Sequence, residues 1–330
     1  MIKLIPIASL LISILFSSCI DYKYVAIQTL KPAEVSLPRN FIQPKIVVNY
    51  YKGIANDEES MARAAVDSTA ADEAARALRS FMYDSPWFDN VNIPIGFNLR
   101  IDVSPYITPL DWNAVETICN TDSADLLISL DYINVKPDFS SYGYYDGYTK
   151  MYYGVLTNSL LAYWRVYNLN DKKRCCESLI RDTINWEKSD YTPLVLGQQL
   201  PGLFSSAAYS GYYVAEKYAK RIVPGWVDEQ RIYFSTGSSE MKAASQFVDK
   251  SKWLEAAGQW QKVIAKSKKS PKLAARAAYN MALANEMNGN FEIALEWLDK
   301  SKKFNFIYYE SIYRQVILER IKAKEKLNSN

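Results

Sequence analysis

DLLISLDYINV, residues 125–135, is the segment on which the fold turns, because its apolar, β-branched run reads as a strand. Working outward, SLLAYWRVYNL (159–169) and RCCESLIRDTINWE (174–187) are two further extended segments. The four residues Asn170-Asp-Lys-Lys173 between them predict an antiparallel hairpin. Upstream, KIVVNYY (45–51) is a strand, residues 59–83 form an alanine-rich helix, and WFDNVNI (87–93) returns to an extended pattern. A helix runs from Pro109 to Asn120. Downstream, residues 203–222 are helical and EQRIYF (229–234) adds a closing strand. Alternating strands and helices followed by a hairpin predict a mixed β-sheet covered by helices. The fold class expected is α+β, with an all-α array after the sheet.

Composition narrows the chemistry. The chain has 330 residues, room for two domains, and contains no histidine. Ser-His-Asp, Cys-His and His-metal sites are therefore excluded within it. Its 12 glycines never lie closer than four residues apart, which removes G-x-G-x-x-G, and no phosphate-binding G-x-x-x-x-G-K-[ST] occurs. No C-x-x-C and no calcium-loop spacing of carboxylates is present. Asp102, Asp131, Asp138 and Asp146 are carboxylates at strand ends or loops, but spacing brings no two of them together. The expectation is no catalytic residue, no metal and no cofactor.

Residues 277–305, AAYNMALANEMNGNFEIALEWLDKSKKFN, resemble a tetratricopeptide repeat. Ala278, Met281 and Ala282 stand where the family places its bulky–small pairing, and Gly289-Asn290-Phe291 supplies the turn. Ala294 is the small residue at the helix crossing and Leu298 the next packing position. An upstream copy aligns on Ala256 and Trp260, with Lys266–Pro271 lengthening the turn between repeats. Both copies lack the family's usual terminal proline, and Asn285 replaces its aromatic. Residues 307–327 carry Tyr309, Ile312, Tyr313, Val316, Ile317 and Ile321 in a helical stripe suited to a capping helix. Ser235–Ser239 is the linker, and Ser238 or Ser239 is the N-cap. The domains expected are a signal peptide over 1–18, a body over 19–236 and the repeat module over 237–330. The repeat resemblance implies a docking groove for a peptide or protein.

MIKLIPIASLLISILFSSC (1–19) joins Lys3 to an apolar run from Leu4 to Phe16 and then small residues, the pattern of a secretory signal. Phe16-Ser17-Ser18-Cys19 resembles a bacterial lipobox, although leucine is usual where Phe16 stands. The resemblance implies a Cys19 carrying acyl chains that tether the chain to the cell envelope, as an outer-membrane lipoprotein. Ile20-Asp21-Tyr22-Lys23 lacks an acidic run, which favours the periplasmic side. Three cysteines remain: Cys119 on a helix, and Cys175 and Cys176 adjacent in a strand, where alternation sends them to opposite faces. Either all three are free thiols, or Cys119 bridges to Cys175 or Cys176.

The body's phrasing, Ala124-Asp125-Leu126-Leu127-Ile128 and then WRVYNLNDKK, resembles the amino-terminal domain of TolB and the curli-secretion lipoproteins. YVAIQTLKPAEVSLP (24–38) resembles a group of Gram-negative lipoproteins with C-terminal tetratricopeptide repeats, of unassigned biochemical role. Charge is divided, net +7 over residues 239–330 against net −5 over 19–238, without a concentrated basic stripe beyond Lys266–Lys272, and nucleic acid is not an expected partner. The most unusual stretch is 139–153, read as a glycine-bearing loop with six tyrosines, Tyr142, Tyr144, Tyr145, Tyr148, Tyr152 and Tyr153. Tyrosine presents a large amphipathic face at low entropy cost, which suits protein contacts and sugar stacking. The alternative is a long hairpin whose tyrosines pack back on the sheet or pair with the membrane headgroup region. The function expected is a non-catalytic scaffold or accessory subunit that binds an envelope protein, with glycan binding or processing as the alternative.

Overall fold

The computed structural model describes residues 22–38, 40–51, 57–100, 108–266 and 268–329. It has two compact units, Leu30–Trp226 and a second that joins the chain up to Thr29 with Val227–Ser329. In chain order the strands are β1 (Tyr22–Lys31), β2 (Pro44–Tyr51), β3 (Ile95–Arg100), β4 (Leu126–Asp146), β5 (Thr149–Asn168), β6 (Lys173–Asp190) and β7 (Gly225–Phe234). Helices α1 (Glu58–Tyr83), α2 (Trp112–Asn120), α3 (Pro193–Gln199) and α4 (Leu203–Ile222) belong to the first unit. Helices α5 (Ser239–Val248), α6 (Trp253–Ile264), α7 (Pro271–Met287), α8 (Phe291–Phe304) and α9 (Glu310–Ser329) belong to the second.

The first unit is the expected mixed sheet, in the order β3-β2-β4-β5-β6. β2 runs parallel to β3 and to β4, while β4, β5 and β6 form an antiparallel meander. Side chains alternate across it, so Ile46 and Val48 of β2 join Leu126, Ile128 and Leu130 of β4 on one face. That face packs on α1 and α4 through Ala70, Ala74, Leu78, Val214 and Tyr218. The opposite face offers Val47, Leu127 and Tyr167 to Val115 and Cys119 of α2. Lys45 ties α2 down by donating to the Ile118 carbonyl at 2.9 Å and pairing with Asp122.

The alanines of α1 have a geometric reason. A Cβ placed on Gly211 of α4 would lie 2.1 Å from the Ala70 carbonyl oxygen, so the two backbones are in direct contact. Only small residues permit that approach. At the rim, Asp182 of β6 accepts from Tyr213 of α4 at 2.8 Å, from the Thr183 N–H at 2.8 Å, and from Lys217. The Lys217 ammonium, with the Thr183 N–H, holds the Asp182 carboxyl down at about 2.

Three readings of the sequence need correction. Pro86–Phe88 is a single 3-10 turn capped by Ser85, and the strand begins later, at Ile95, where no proline intervenes. EQRIYF lies in β7, which pairs with β1 in a separate two-stranded sheet, and its Tyr233 and Phe234 pack into the helical core. The segment 139–153 is no loop: β4 and β5 stay in register as far as Asp146 opposite Thr149, and Gly147-Tyr148 makes the turn.

Two expectations follow. Gly211→Ala forces α1 and α4 apart and should cost about 3 kcal/mol, the upper end for overpacking. Urea denaturation at neutral pH checks it, and an unchanged midpoint refutes the close contact. The carboxyl of Asp182 is depressed in the fold, so its stabilisation is present above the unfolded value of about 3.9 and is lost as pH falls towards about 2. Asp182→Asn should therefore be the less stable protein at pH 6 and should show a shallower loss of thermal midpoint between pH 4 and pH 2.

Candidate functional site

The far half of the β4–β5 hairpin brings the predicted tyrosines together in an unexpected form. Directly opposed residues share a face, so Tyr142, Tyr144 and Tyr153 lie on one side, Tyr145 and Tyr152 on the other, with Tyr148 at the turn. Tyr142 packs against Tyr153 with ring centroids 5.3 Å apart and against Tyr144 at 6.3 Å. The Tyr153 hydroxyl donates to Glu187 of β6 at 2.5 Å, and that bond pushes its pKa up to about 12. On the other face the Lys150 ammonium sits 5.1 Å from the Tyr152 ring. Tyr142, Tyr145 and Tyr148 remain exposed, at 61%, 71% and 105%.

Beside Tyr152 is a groove of about 240 Å³ lined by Phe139, Ser141, Tyr142, Gly143, Tyr152, Pro193 and Leu196. Its floor depends on Gly154, where a Cβ would come within 3.0 Å of Leu196 and 3.3 Å of Phe139. A larger residue there would lift α3 off the hairpin.

Among the described residues the edge of this hairpin is open. β2 accompanies β4 only from Leu126 to Leu130, and beyond that no strand pairs with this edge among the described residues. Residues 136–143 are all exposed. The Val135 N–H turns away from β5 and donates to Asp67 of α1 at 2.7 Å, which fixes the direction of every second residue after it. The N–H groups of Phe139, Ser141, Gly143 and Tyr145 therefore point outward, while Pro137 has none to offer. Burial raises the pKa of Asp67 even though the Val135 N–H and Asn134 work to lower it.

Where that edge begins, the sheet carries a buried polar cluster around Asp131, which lies inside β4 and not at a strand end or loop as expected; its partners were missed by sequence reasoning. Asp131 is an extra residue in β4 and accepts from Arg165 of β5, from Ser129 and, at 3.2 Å, from Asn49 of β2. Asn98 of β3 donates to Asn49 at 2.9 Å, and the Arg165 guanidinium stacks 4.3 Å from the Tyr163 ring. A second irregularity, in β6, sets Glu177 3.6 Å from Arg165. The only cue in the sequence was polar residues within apolar strands. Asp138 and Asp146 are exposed and apart from this cluster, and Asp102 lies outside the described residues. No group of three or more Cys, Asp or Glu able to hold a metal occurs among the described residues.

In the second unit Ala256, Trp260, Ala294 and Leu298 are all fully buried, as are Met241 and Ala244. Tyr313 and Ile317 of α9 are buried too, whereas Ile312 is exposed and lies off that face. The face of α5 and α7, the first helix of each hairpin, is occupied by the chain's own strand β7. Asn280 of α7 makes two bonds to the Phe234 backbone, accepting at 2.9 Å and donating at 2.7 Å. Tyr233 pairs with Ser245 of α5 at 2.9 Å. Arg231 forms a 2.9 Å ion pair with the fully buried Glu286, which also takes Arg320 at 2.9 Å and the Tyr313 hydroxyl at 2.7 Å. Burial works to lower the pKa of Arg231, but Glu286 and Glu229 hold it above the usual guanidinium range.

A family model described as Domain of unknown function (DUF8603) matches residues 40–234, more than half of the chain. The chain belongs to the DUF8603 family. A second model, Domain of unknown function (DUF6340), matches residues 242–322. The DUF8603 match thus takes in the whole mixed sheet and β7, and the DUF6340 match takes in the helical hairpins. No curated protein matches the chain. Among solved structures, the PelC dodecamer from Paraburkholderia phytofirmans is similar at 13% identity and a TM-score of 0.21, over 59% of this chain and 97% of that one. The hypothetical protein CT253 from Chlamydia trachomatis is similar at 11% identity and a TM-score of 0.19, over 55% and 98%. Likenesses this low support no conclusion about role.

Cys19 lies outside the described residues. Cys119, Cys175 and Cys176 are free thiols, and burial pushes the Cys119 thiol up to about 11. Cys119 packs in the cluster under α2, on the sheet face opposite to the one Cys176 joins. No helix among the described residues is long and apolar enough to cross a membrane.

Replacing Glu286 would take the fully buried carboxylate away from both Arg231 and Arg320 and leave Arg231 with the less buried Glu229. Glu286→Gln should destabilise the second unit by about 3–5 kcal/mol, the usual loss when one member of a buried ion pair is removed. Urea unfolding followed by tryptophan emission, to which the buried Trp260 contributes, measures it. A loss below about 1 kcal/mol would match a solvent-screened pair instead.

Proposed function

We propose that this chain is a non-catalytic cell-envelope protein, tethered through a lipidated Cys19, that holds an extended segment of a partner protein along the open edge of β4. The observation that carries the reading is the run of outward N–H groups at Phe139, Ser141, Gly143 and Tyr145, flanked by exposed Tyr142 and Tyr148. Unpaired strand edges accept an added strand through main-chain hydrogen bonds, and alternating side chains then supply selectivity. The helical unit supports this choice by default: β7 already lies on the face of α5 and α7 where a docked peptide would be sought. The resemblance to tetratricopeptide repeats therefore counts as architecture here, and the docking surface moves to the hairpin. The outer-membrane, periplasm-facing address rests on the lipobox and the residues after it.

A second reading is favoured by one observation, the groove between Tyr152, Phe139 and Leu196. Apolar walls beside aromatic faces suit a sugar ring, so a glycan is the alternative ligand.

In-cell crosslinking separates the two. A photoreactive phenylalanine at Tyr148 should yield a discrete protein adduct, and the same probe at the exposed Leu254 of α6 should not. Ser141→Pro removes one outward donor without touching a bond to β5, so it should cut the adduct about tenfold, the equivalent of one hydrogen bond, with an unchanged thermal midpoint. Retention of the protein in a gel containing envelope polysaccharide, lost in Tyr152→Ala, would select the glycan reading. Neither adduct nor retention would overturn both.

A further inference from the structure

The cysteines of β6 depart most sharply from what a regular strand dictates. β5 and β6 change register between Trp164 and Val166, so that Arg165 faces the extra residue of a bulge. Cys176 sits there with φ of +56°, in the left-handed region that side chains with a Cβ rarely adopt. Alternation is lost at this point, and both thiols turn to the same side, with Cys175 packed against the core cluster that includes Cys176. Their Sγ atoms are 3.1 Å apart, about 1 Å beyond a disulfide bond. The backbone is held in this shape by Tyr218, whose hydroxyl donates to the Cys176 carbonyl at 3.0 Å and whose ring stacks on Trp164. Cys175 is half-buried and so reachable by a small reagent, while Cys176 lies beneath it.

We infer that Cys175 and Cys176 form a redox-active vicinal dithiol, which closes to a disulfide between adjacent residues on reaction with a small-molecule disulfide oxidant. Cys175, the more exposed, loses its proton and attacks one sulfur of the oxidant, whose S–S bond breaks and releases one thiol. Cys176 then loses its proton and attacks Cys175 Sγ in the mixed disulfide, releasing the second thiol. Two protein thiols are oxidised, and the oxidant is reduced to two thiols. Adjacent Cα atoms lie about 3.8 Å apart, closer than disulfides prefer, so the ring is strained and readily reopened by excess thiol. Such a bond belongs to the labile kind and not to the structural kind.

The experiment uses the purified full chain in detergent, equilibrated across a series of glutathione and glutathione disulfide mixtures. Acid quench, unfolding, alkylation with iodoacetamide and mass spectrometry then read each cysteine. Excess glutathione disulfide should leave the peptide carrying Cys175 and Cys176 unalkylated and lighter by two hydrogens, with Cys119 alkylated. Excess glutathione should restore both alkyl groups. Cys176→Ser should stop at a glutathione adduct on Cys175, since the resolving thiol is gone. Alkylation of both cysteines at every mixture overturns the inference, and so does a bridge from Cys119 to either of them. Neither result depends on the partner-binding reading.

Discussion

Every backbone donor and acceptor along β4 must find a partner or face water, and the rest of the first unit is arranged around how that requirement is met. Over Leu126–Leu130 the strand is paired on both sides, to β2 and β5, and both faces are covered. From Asp131 onward only β5 remains among the described residues. The transition is managed by the extra residue Asp131, whose carboxylate gathers Arg165, Ser129 and Asn49. It continues with Asp67 of α1 accepting the Val135 N–H, and with Pro137, which offers no donor. Beyond Pro137 nothing within the described chain meets the outward groups, and the tyrosines gather there.

The same requirement explains why the two helical hairpins are not a free docking groove. β7 brings polar backbone and a guanidinium against α5 and α7, and both are satisfied from the helices, by Asn280 and Glu286. The buried carboxylate of Glu286 accepts from Arg231, Arg320 and Tyr313 together, so strand and helices are tied into one core. A foreign peptide on this face would have to displace the strand and break the Arg231–Glu286 pair.

Much of the fold was legible because apolar runs of the right length leave few choices. KIVVNYY, the alanine-rich 59–83 segment, DLLISLDYINV and residues 203–222 all occupy the elements their patterns predict. WFDNVNI failed because aromatic and β-branched content suggested a strand where Pro86 and Ser85 impose a turn. The tyrosine segment failed for a different reason: glycines at 143, 147 and 154 read as flexibility, yet only Gly147 is in a turn. Gly154 is small so that Leu196 can approach. The vicinal cysteines were misassigned because strand alternation was assumed, and one left-handed residue cancels it.

The sequence alone determined the long apolar strands and helices and their order, the absence of histidine chemistry and the wealth of tyrosine at 139–153. These follow from local spacing and residue type, which need no knowledge of distant contacts. Tertiary structure alone decided that β7 pairs with β1 and fills the face of the helical hairpins, that Asp131 meets Arg165, and that β4 outruns its pairing with β2. Pairing partners, register and strand overhang depend on which backbone groups meet across long separations in the chain, and a strand's own residues carry no record of its neighbour.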